Sequence, residues 1–226
     1  MKILTFGDRH GRNDWKKIVS PEYDKIVFLG DYWDSFDIPF EQQRENFIDL
    51  LEYKRANFDR VVLLTGNHDF HYVRGIRESY SGYQTIHRLE IQELLDTALG
   101  EDMMTACFLH NNILFSHAGV TKTWCKNNDV DVNNIEQSIN DLFKYIPRVF
   151  EFTSGKNYSV YGDDVEQGPF WVRPRSLKDD SVDFIQVVGH TTIREPLITD
   201  KFIFADCPGR YVIYEDKQFR VGDTIK

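Results

Sequence analysis

The nine residues Ile26-Val-Phe-Leu-Gly-Asp-Tyr-Trp-Asp34 combine a buried strand and a set of polar ligands in one short stretch. Four apolar residues without a polar break are typical of a strand that is buried on both faces. Gly30 ends this strand, and the carboxylates Asp31 and Asp34 follow at once. Open α/β sheets build ligand sites at the carboxyl ends of their strands, so the stretch predicts a site there.

The same order of residues recurs four more times along the chain. In each case an apolar run is followed by a small residue and then by Asp, Asn or His side chains. The runs are Ile3-Leu-Thr-Phe before Gly7-Asp8-Arg9-His10-Gly11, Val61-Val-Leu-Leu before Gly66-Asn67-His68-Asp69, Ile113-Leu-Phe before Ser116-His117-Ala118-Gly119, and Phe184-Ile-Gln-Val-Val188 before Gly189-His190-Thr191. If the five strands share a sheet, we expect these polar side chains to converge.

The bulk composition favours an ordinary α/β enzyme domain. A chain of 226 residues is long enough for one domain with a large core. Its net charge of −9 argues against a nucleic-acid partner. The cysteines Cys107, Cys125 and Cys207 are few and widely spaced, which fits a reducing cytoplasm. Because no apolar run is long enough for a signal peptide or a membrane span, we expect a cytoplasmic protein without a membrane partner.

Helical patterns lie between the first strands, which predicts two βα crossovers and a parallel sheet. The predicted helices begin after Asn13 and at Pro39, run from Ile91 to Gly100, and run from Ile135 to Ile146. Asn111-Asn112 predicts the turn of a β-hairpin.

Two later segments have a different character. Residues 150–181 lack periodicity and contain several glycines and prolines, so they are interpreted as an irregular functional loop or lid. Short apolar runs between Leu197 and Val221 predict a meander that forms a second sheet.

Six side chains at the predicted strand ends form a set of metal ligands. Carboxylate, imidazole and amide oxygen together suit Mn²⁺, Fe or Zn²⁺. The six residues are Asp8, His10, Asp31, Asn67, His117 and His190. Since one ion rarely takes so many protein ligands and keeps an open position, two ions that share the carboxylate of Asp31 are the simplest interpretation. Two such ions can bind the attacking and leaving oxygens of a phosphoryl group.

The five motifs, taken in order, resemble those of calcineurin-like metallophosphoesterases. They are similar in particular to the phosphoprotein-phosphatase branch, with bacterial and phage-like Ser/Thr phosphatases and symmetrical diadenosine tetraphosphate hydrolases among its relatives. The resemblance extends over almost the whole chain. It implies an α/β fold, a four-layer α/β/β/α sandwich of two mixed β-sheets flanked by helices. It also implies one metallophosphoesterase domain over residues 1–226, with a lid or insert around residues 120–181.

The resemblance further implies a dinuclear centre and a catalytic mechanism. Asp8, His10 and Asp31 are expected on the first metal, and Asp31, Asn67, His117 and His190 on the second. Mn²⁺ is the first expectation for both ions, with Fe, Zn²⁺ or Mg²⁺ as alternatives. A metal-bridging hydroxide is expected to attack phosphorus in line. His68, held by Asp34, is expected to protonate the leaving oxygen.

Two departures from the family pattern bear on substrate binding. The second motif continues with Ser35-Phe36 where the phosphatase branch usually has Arg-Gly, so one phosphate-binding arginine is missing. The last motif reads His190-Thr191-Thr192, without the second histidine of other branches. The stretch Phe170-Trp-Val-Arg-Pro-Arg175 is similar to the Trp-x-Arg element of related enzymes, which makes Arg173 the first candidate for the phosphate clamp. Arg175 and Arg12 follow as weaker candidates.

Each of these residues also has a structural interpretation without catalysis. Gly-Asp and Gly-Asn pairs often only end a strand, and a buried histidine is often a core residue. Asp34 is a possible helix cap and Arg173 a possible loop charge. His71, His87 and His110 lie outside the motifs and are expected to be surface or structural residues.

Three functions remain open from sequence. The first is a two-metal phosphomonoesterase of the protein-phosphatase type, acting on a phosphoprotein, a nucleotide or a small phosphoester. The second is a dinucleoside polyphosphate hydrolase. The third, from a different class, is a non-catalytic metal-binding scaffold. Ligand loss would indicate the scaffold, and every expected ligand is present. The sequence leaves the oligomeric state undecided.

Overall fold

A computed structural model describes residues 1–153 and 161–223 of the chain. Eleven strands in this part form two mixed sheets. The first sheet has six strands in the order β11-β10-β1-β2-β3-β4. Its strands are Ile3–Phe6 (β1), Lys25–Phe28 (β2), Val61–Leu64 (β3), Met104–Thr105 (β4), Arg210–Glu215 (β10) and Gln218–Asp223 (β11). β1 to β4 are parallel, and β10 pairs antiparallel with β1.

The second sheet has five strands in the order β5-β6-β7-β9-β8. They are Cys107–His110 (β5), Ile113–Ser116 (β6), Ile185–Val188 (β7), Leu197–Ile198 (β8) and Phe202–Phe204 (β9). β6, β7 and β9 are parallel, whereas β5 and β8 pair antiparallel at the two edges. The predicted hairpin at Asn111-Asn112 is confirmed, because it joins β5 to β6.

The five strands of the predicted site are divided between two mixed sheets, which confirms the two-sheet fold that the resemblance implies. The single shared sheet that was the condition for convergence is not formed. The sheets pack face to face through a buried apolar layer, to which Val27 and Leu64 contribute from one side and Phe115 and Val187 from the other. This packing brings the carboxyl ends of β1 to β3 next to those of β6 and β7. The strand ends converge across the sandwich rather than within one sheet.

The prediction of a meander that forms a second sheet is wrong, because its strands belong to two different sheets. β8 and β9 complete the second sheet, and β10 and β11 extend the first. Alternation along β10 explains its position: Val212 packs into the layer between the sheets, and Ile213 packs on the opposite face, below the helices. An alternating pattern of side chains along a strand does not indicate which of two sheets the strand joins.

Helices cover both outer faces, which confirms the four-layer fold. They are Phe40–Ala56 (α1), Asn67–Phe70 (α2), Arg88–Gly100 (α3), Lys122–Asn127 (α4), Ile135–Tyr145 (α5) and Pro174–Asp180 (α6). Leu50 of α1 and Leu95 of α3 pack on the first sheet, and Ile139 of α5 and Leu177 of α6 pack on the second. No helix in the described ranges has the length and hydropathy needed to cross a bilayer.

Two predicted segments differ locally from the structure. The helix expected after Asn13 is a single 3-10 turn, Asp14–Lys17, and the Asn13 side chain makes no capping hydrogen bond. The segment 150–181 is not irregular throughout, because Pro174 supplies a preset φ for the first turn of α6. Residues 154–160 of the predicted lid lie outside the described residues, so the lid stays a prediction.

Candidate metal centre

The backbone at the strand ends is turned sharply toward the space between the sheets. His10, Asp31, Asp34 and His190 all have positive φ, between 41° and 66°. This left-handed conformation costs non-glycine residues on the order of 1 kcal/mol or more, and it is concentrated at functional sites. Three predicted ligands and the predicted partner of the general acid thus carry this strain. The other non-glycine residues with positive φ in the described ranges are Asp102, Asn111, Asp129, Asp216 and Lys217.

Glycine is needed where these strand ends approach one another. A Cβ atom on Gly66 would lie 2.1 Å from Asp31 Oδ1, and one on Gly189 would lie 2.4 Å from Asp8 Oδ1. Both distances are far below a van der Waals contact. Gly66 and Gly189 thus make room for the carboxylates of Asp31 and Asp8, which come from other strand ends.

The first group of ligand atoms comes from Asp8, His10 and Asp31, which offer atoms within 4.8 Å of one another. His10 Nδ1 lies 2.6 Å from the carbonyl oxygen of Trp33. A carbonyl can only accept, so Nδ1 carries the proton and Nε2 keeps its lone pair. Nε2 lies 3.8 Å from Asp31 Oδ2.

The second group comes from Asp31, Asn67, His117 and His190. His117 Nε2 lies 2.9 Å from Asn67 Oδ1, 3.1 Å from His190 Nδ1 and 3.4 Å from Asp31 Oδ2. His190 Nδ1 lies 2.9 Å from Asn67 Oδ1. All four side chains are buried.

These contacts test whether a cation fits. His117 Nδ1 lies 2.8 Å from the carbonyl oxygen of Leu29 and donates to it, so Nε2 has no proton in the neutral ring. Burial lowers the pKa of both His117 and His190, which keeps the rings neutral. Lone pairs on nitrogen and oxygen then face one another at hydrogen-bond distance with too few protons between them. This donor set fits a divalent cation.

Asp31 belongs to both groups. Its Oδ1 accepts a hydrogen bond of 2.8 Å from the backbone N–H of His68, which fixes the orientation of the carboxylate. Its Oδ2 lies within 4 Å of both His10 Nε2 and His117 Nε2. The carboxylate that the sequence selects as a bridge thus lies between the two sets of ligands.

A third buried carboxylate, Asp206, was not predicted. It follows β9 and accepts a hydrogen bond of 2.6 Å from Thr192 Oγ1. Burial, and then the charges of Asp206 and Asp31, raise the pKa of Asp8 well above its usual range. The signal was present in the sequence, since Phe202-Ile-Phe-Ala-Asp206 is a sixth apolar run that ends in a small residue and an acid. Such crowded carboxylates also favour a bound cation.

The predicted pair of His68 and Asp34 is formed, with His68 Nδ1 2.9 Å from Asp34 Oδ2. Burial alone would lower the pKa of His68, but the charges of Asp31 and Asp34 raise it above the ordinary value. Three further side chains that were not assigned to the site contact Asp34, and the longest of these contacts is from Gln84 Nε2, 3.4 Å from Oδ1. Tyr72 donates its hydroxyl to Oδ1 at 2.6 Å, and His71 Nε2 lies 2.7 Å from Oδ2. These contacts depend on how the following loop folds back.

Arg173 lies beside the second group of ligands, just before α6. Its guanidinium donates to the carbonyl oxygen of His190 at 3.2 Å, to Thr191 Oγ1 at 3.1 Å and to the carbonyl oxygen of Tyr161 at 2.7 Å. Burial lowers the pKa of Arg173, and the charges of Asp8 and Asp31 oppose that shift. The guanidinium is thus anchored next to the ligand cluster.

The other candidates for the phosphate clamp are less well placed. Arg175 is exposed in the first turn of α6. Arg12 donates to the carbonyl oxygen of Arg9 at 3.4 Å. Ser35, where the family usually has arginine, accepts hydrogen bonds from the backbone of Asp37 and Ile38 and is a turn residue.

Comparisons with known proteins identify the family to which this fold belongs. The family model described as calcineurin-like phosphoesterase matches residues 1–194. A search for similar sequences among functionally curated proteins finds no match.

Solved structures with the same fold include three phosphoesterases. A cold-active protein tyrosine phosphatase is 20% identical, with a TM-score of 0.63, and the match covers 99% of this chain and 76% of that chain. A protein serine/threonine phosphatase from Saccharomyces cerevisiae, similar to human phosphatase PP5, is 13% identical, with a TM-score of 0.57 and coverages of 98% and 79%. A metallophosphoesterase from Sphaerobacter thermophilus is 15% identical, with a TM-score of 0.54 and coverages of 99% and 88%.

Proposed function

We propose that this chain, which belongs to the calcineurin-like phosphoesterase family and is a phosphoester hydrolase, works with two divalent metal ions at the strand ends. One observation carries the proposal: the Asp31 carboxylate belongs to both groups of ligand atoms. Asp8, His10 and Asp31 would hold one ion, and Asp31, Asn67, His117 and His190 the other. Mn²⁺ is the first choice, with Fe, Zn²⁺ or Mg²⁺ as alternatives, since the oxygen and imidazole donors suit all of them.

The ions, when bound, would lower the pKa of a water nucleophile and offset the charge of the phosphoryl group. The protein's own residues would do the rest. His117, which is held by the carbonyl oxygen of Leu29, and Asn67 are both buried, and they would keep the site rigid and its charges unsolvated. Such preorganisation strengthens every electrostatic contact with the substrate.

His68 is proposed as the general acid for the leaving oxygen. Its Nδ1–H is bound to Asp34, which leaves Nε2 as the atom that can give a proton to the substrate. The side chain is mostly buried, yet it keeps some exposure, as an acid that meets a substrate requires. The donors around Asp34 support its role as the fixed anionic partner of this imidazole.

Arg173 is proposed to take the place of the arginine that is missing at Ser35. The contact with the His190 carbonyl oxygen holds the guanidinium near the second group of ligands. A guanidinium can bind two phosphate oxygens at once and can stabilise the charge that develops in the transition state. We propose the segment 120–181, which carries Arg173, as the cover of the site in a single domain of residues 1–226.

The proposed substrate is a phosphomonoester, and a phosphorylated protein side chain is the class to test first. Two of the solved structures above are protein phosphatases, which supports this choice. A phosphorylated nucleotide, a small phosphoester and a dinucleoside polyphosphate are the competing substrates.

A substrate panel with added Mn²⁺ tests the function. It contains phosphoserine and phosphotyrosine peptides, a nucleoside monophosphate, bis-p-nitrophenyl phosphate and diadenosine tetraphosphate. We expect the highest kcat/KM on a phosphopeptide and none without metal. Faster turnover of diadenosine tetraphosphate would assign the competing activity, and no turnover of any ester by metal-loaded protein would favour a binding scaffold.

A further inference from the structure

The Asp34 carboxylate contacts more side chains than the imidazole that it is proposed to support. Its Oδ2 lies 2.9 Å from His68 Nδ1 and 2.7 Å from His71 Nε2, and its Oδ1 accepts the Tyr72 hydroxyl. Asp34 is 1% exposed. A carboxylate so deeply buried needs these donors to stay charged, and they also fix its orientation.

Asp34, His68 and His71 also offer atoms close enough to hold a metal ion of their own. The proton on His71 argues against that interpretation. The backbone N–H of Tyr80 donates to His71 Nδ1 at 3.3 Å, so Nδ1 carries no proton. The proton of the neutral ring is then on Nε2, the atom beside Asp34. A protonated nitrogen is not a metal ligand, so the Nε2–H of His71 lies beside the Asp34 carboxylate, 2.7 Å from Oδ2, without the alignment of a full hydrogen bond.

The His71 ring is held in place by packing on several sides. Tyr80 stacks on it with ring centroids 5.3 Å apart and an interplanar angle of 10°. Tyr83 meets it edge-on at 4.9 Å and stacks on Tyr72 at 4.7 Å. His71 is 2% exposed. Because the ring is enclosed in this way, its Nε2 has little freedom to leave Asp34.

We propose that His71 is a positioning residue for the acid pair: its Nε2–H holds the Asp34 carboxylate, which in turn holds the His68 ring with Nε2 toward the substrate. This inference rests on the proposed function, in which His68 is the general acid. In that step the oxygen of a water-derived hydroxide bonds to phosphorus while the P–O bond to the leaving group breaks, His68 Nε2 gives its proton to the leaving oxygen, and the ring keeps the proton on Nδ1. His71 gives up no proton, and burial, which lowers its pKa, favours the neutral ring.

Two substitutions separate the donor from the packing. His71→Leu removes the N–H, and His71→Gln keeps an amide N–H near the position of Nε2. We expect His71→Leu to lower kcat on an alkyl phosphate about 10-fold, a part of the roughly 10²–10⁴-fold effect of a general acid, with little change in KM. Turnover of p-nitrophenyl phosphate, whose leaving group needs less protonation, should fall less. His71→Gln should recover most of the loss.

Tyr83→Leu is the matched control, because it removes an aromatic ring from the same cluster without a contact to Asp34. We expect both Tyr83→Leu and His71→Leu to lower the thermal stability, but we expect Tyr83→Leu to leave the ratio of the rates on the two substrates unchanged. Metal content, measured by elemental analysis, should be unchanged in all three variants. An equal loss on both substrates in His71→Leu, or the same substrate ratio shift in Tyr83→Leu, would overturn the proposal.

Nitrogen-15 NMR of the imidazole rings gives a reading that does not depend on activity or on the folding of a variant. In the wild-type protein, His71 should show a protonated Nε2 and an unprotonated Nδ1. This should hold both for the metal-free protein and for protein loaded with Zn²⁺, which is diamagnetic. An unprotonated Nε2 would overturn the proposal. His68→Asn separates a failure of the proposed function from a failure of this inference. If His68→Asn slows both substrates equally, His68 is not the general acid. If it slows the alkyl phosphate more than p-nitrophenyl phosphate and His71→Leu does not, only the role of His71 is wrong.

Discussion

At the scale of single residues, backbone carbonyl groups determine which nitrogen of each ligand histidine is available. Trp33 and Leu29 accept from Nδ1 of His10 and His117, so both rings turn an unprotonated Nε2 to the centre of the site. Both carbonyl groups lie just after β2, in the stretch from Ile26 to Asp34 where the sequence pattern is clearest. The short segment that follows β2 thus supplies both the proposed bridging carboxylate and the contacts that orient two other ligands.

His68→Asn tests the general acid. We expect both metal ions to remain bound, while the hydrolysis of alkyl phosphates slows by roughly 10²–10⁴-fold. Because neighbouring carboxylates raise the pKa of His68, the wild-type rate on alkyl phosphates should fall only at a pH above the ordinary imidazole pKa, where the acid loses its proton. This high-pH decline should be absent in the variant.

The measurement is kcat/KM against pH for an alkyl phosphate and for a phenyl ester with an acidic leaving group. The phenyl ester should be affected less. A loss of equal size on both esters, or the loss of a metal ion in the variant, would show that His68 has another role.

Arg173→Ala tests the phosphate clamp. Removal of one preorganised donor should lower kcat/KM, and the loss should correspond to about 2–4 kcal/mol of transition-state stabilisation. Arg173→Lys should recover only part of this, since an ammonium cannot bind two oxygens in a fork. Inhibition by free phosphate should weaken in parallel.

Arg175→Ala is the control, because Arg175 is the exposed neighbour on α6. It should cost less than Arg173→Ala. If Arg173→Ala left both kcat/KM and the phosphate inhibition constant unchanged, the segment would be only a cover, and Arg12 would become the next candidate.

At the scale of secondary structure, much of the site followed from the sequence because parallel strands all end on the same side. Asp8, Asp31 and Asn67 were found because each follows a buried run and a glycine. Sheet membership was not predictable, since a buried strand shows the same pattern in either sheet. His71 was missed for a different reason: its role depends on Tyr80, nine residues later, folding back to its ring.

Asp206→Asn tests whether the end of β9 belongs to the metal centre. The charge of Asp206 contributes to the raised pKa of Asp8, which shows that the two carboxylates lie close together. Neutralisation of Asp206 should therefore weaken metal binding by about 10–100-fold, as changes around metal ligands do. Calorimetric titration of metal-free protein with Mn²⁺ measures this. Asp183→Asn is the control, because it makes the same charge change on an exposed side chain before the start of β7. Unchanged affinity in Asp206→Asn would remove Asp206 from the site.

At the scale of the whole molecule, the site is built across the interface of two sheets and cannot form in either alone. His190 of the second sheet donates its backbone N–H to Asp8 of the first at 2.9 Å, and His117 reaches Leu29 in the same way through its ring. Metal ions bound between these groups would tie the sheets together. Removal of the metal should therefore lower thermal stability as well as activity, because ligands that bind only the folded state stabilise it.

The central claim is that two ions share the carboxylate of Asp31, and metal stoichiometry in Asp31→Asn tests it most directly. The wild-type protein, reconstituted with Mn²⁺ and freed of excess metal, should contain two ions per chain by elemental analysis. Asp31→Asn should be inactive and should lose more metal than any other single ligand variant, because the change affects both ions at once. Two fully retained ions per chain in Asp31→Asn would contradict the account.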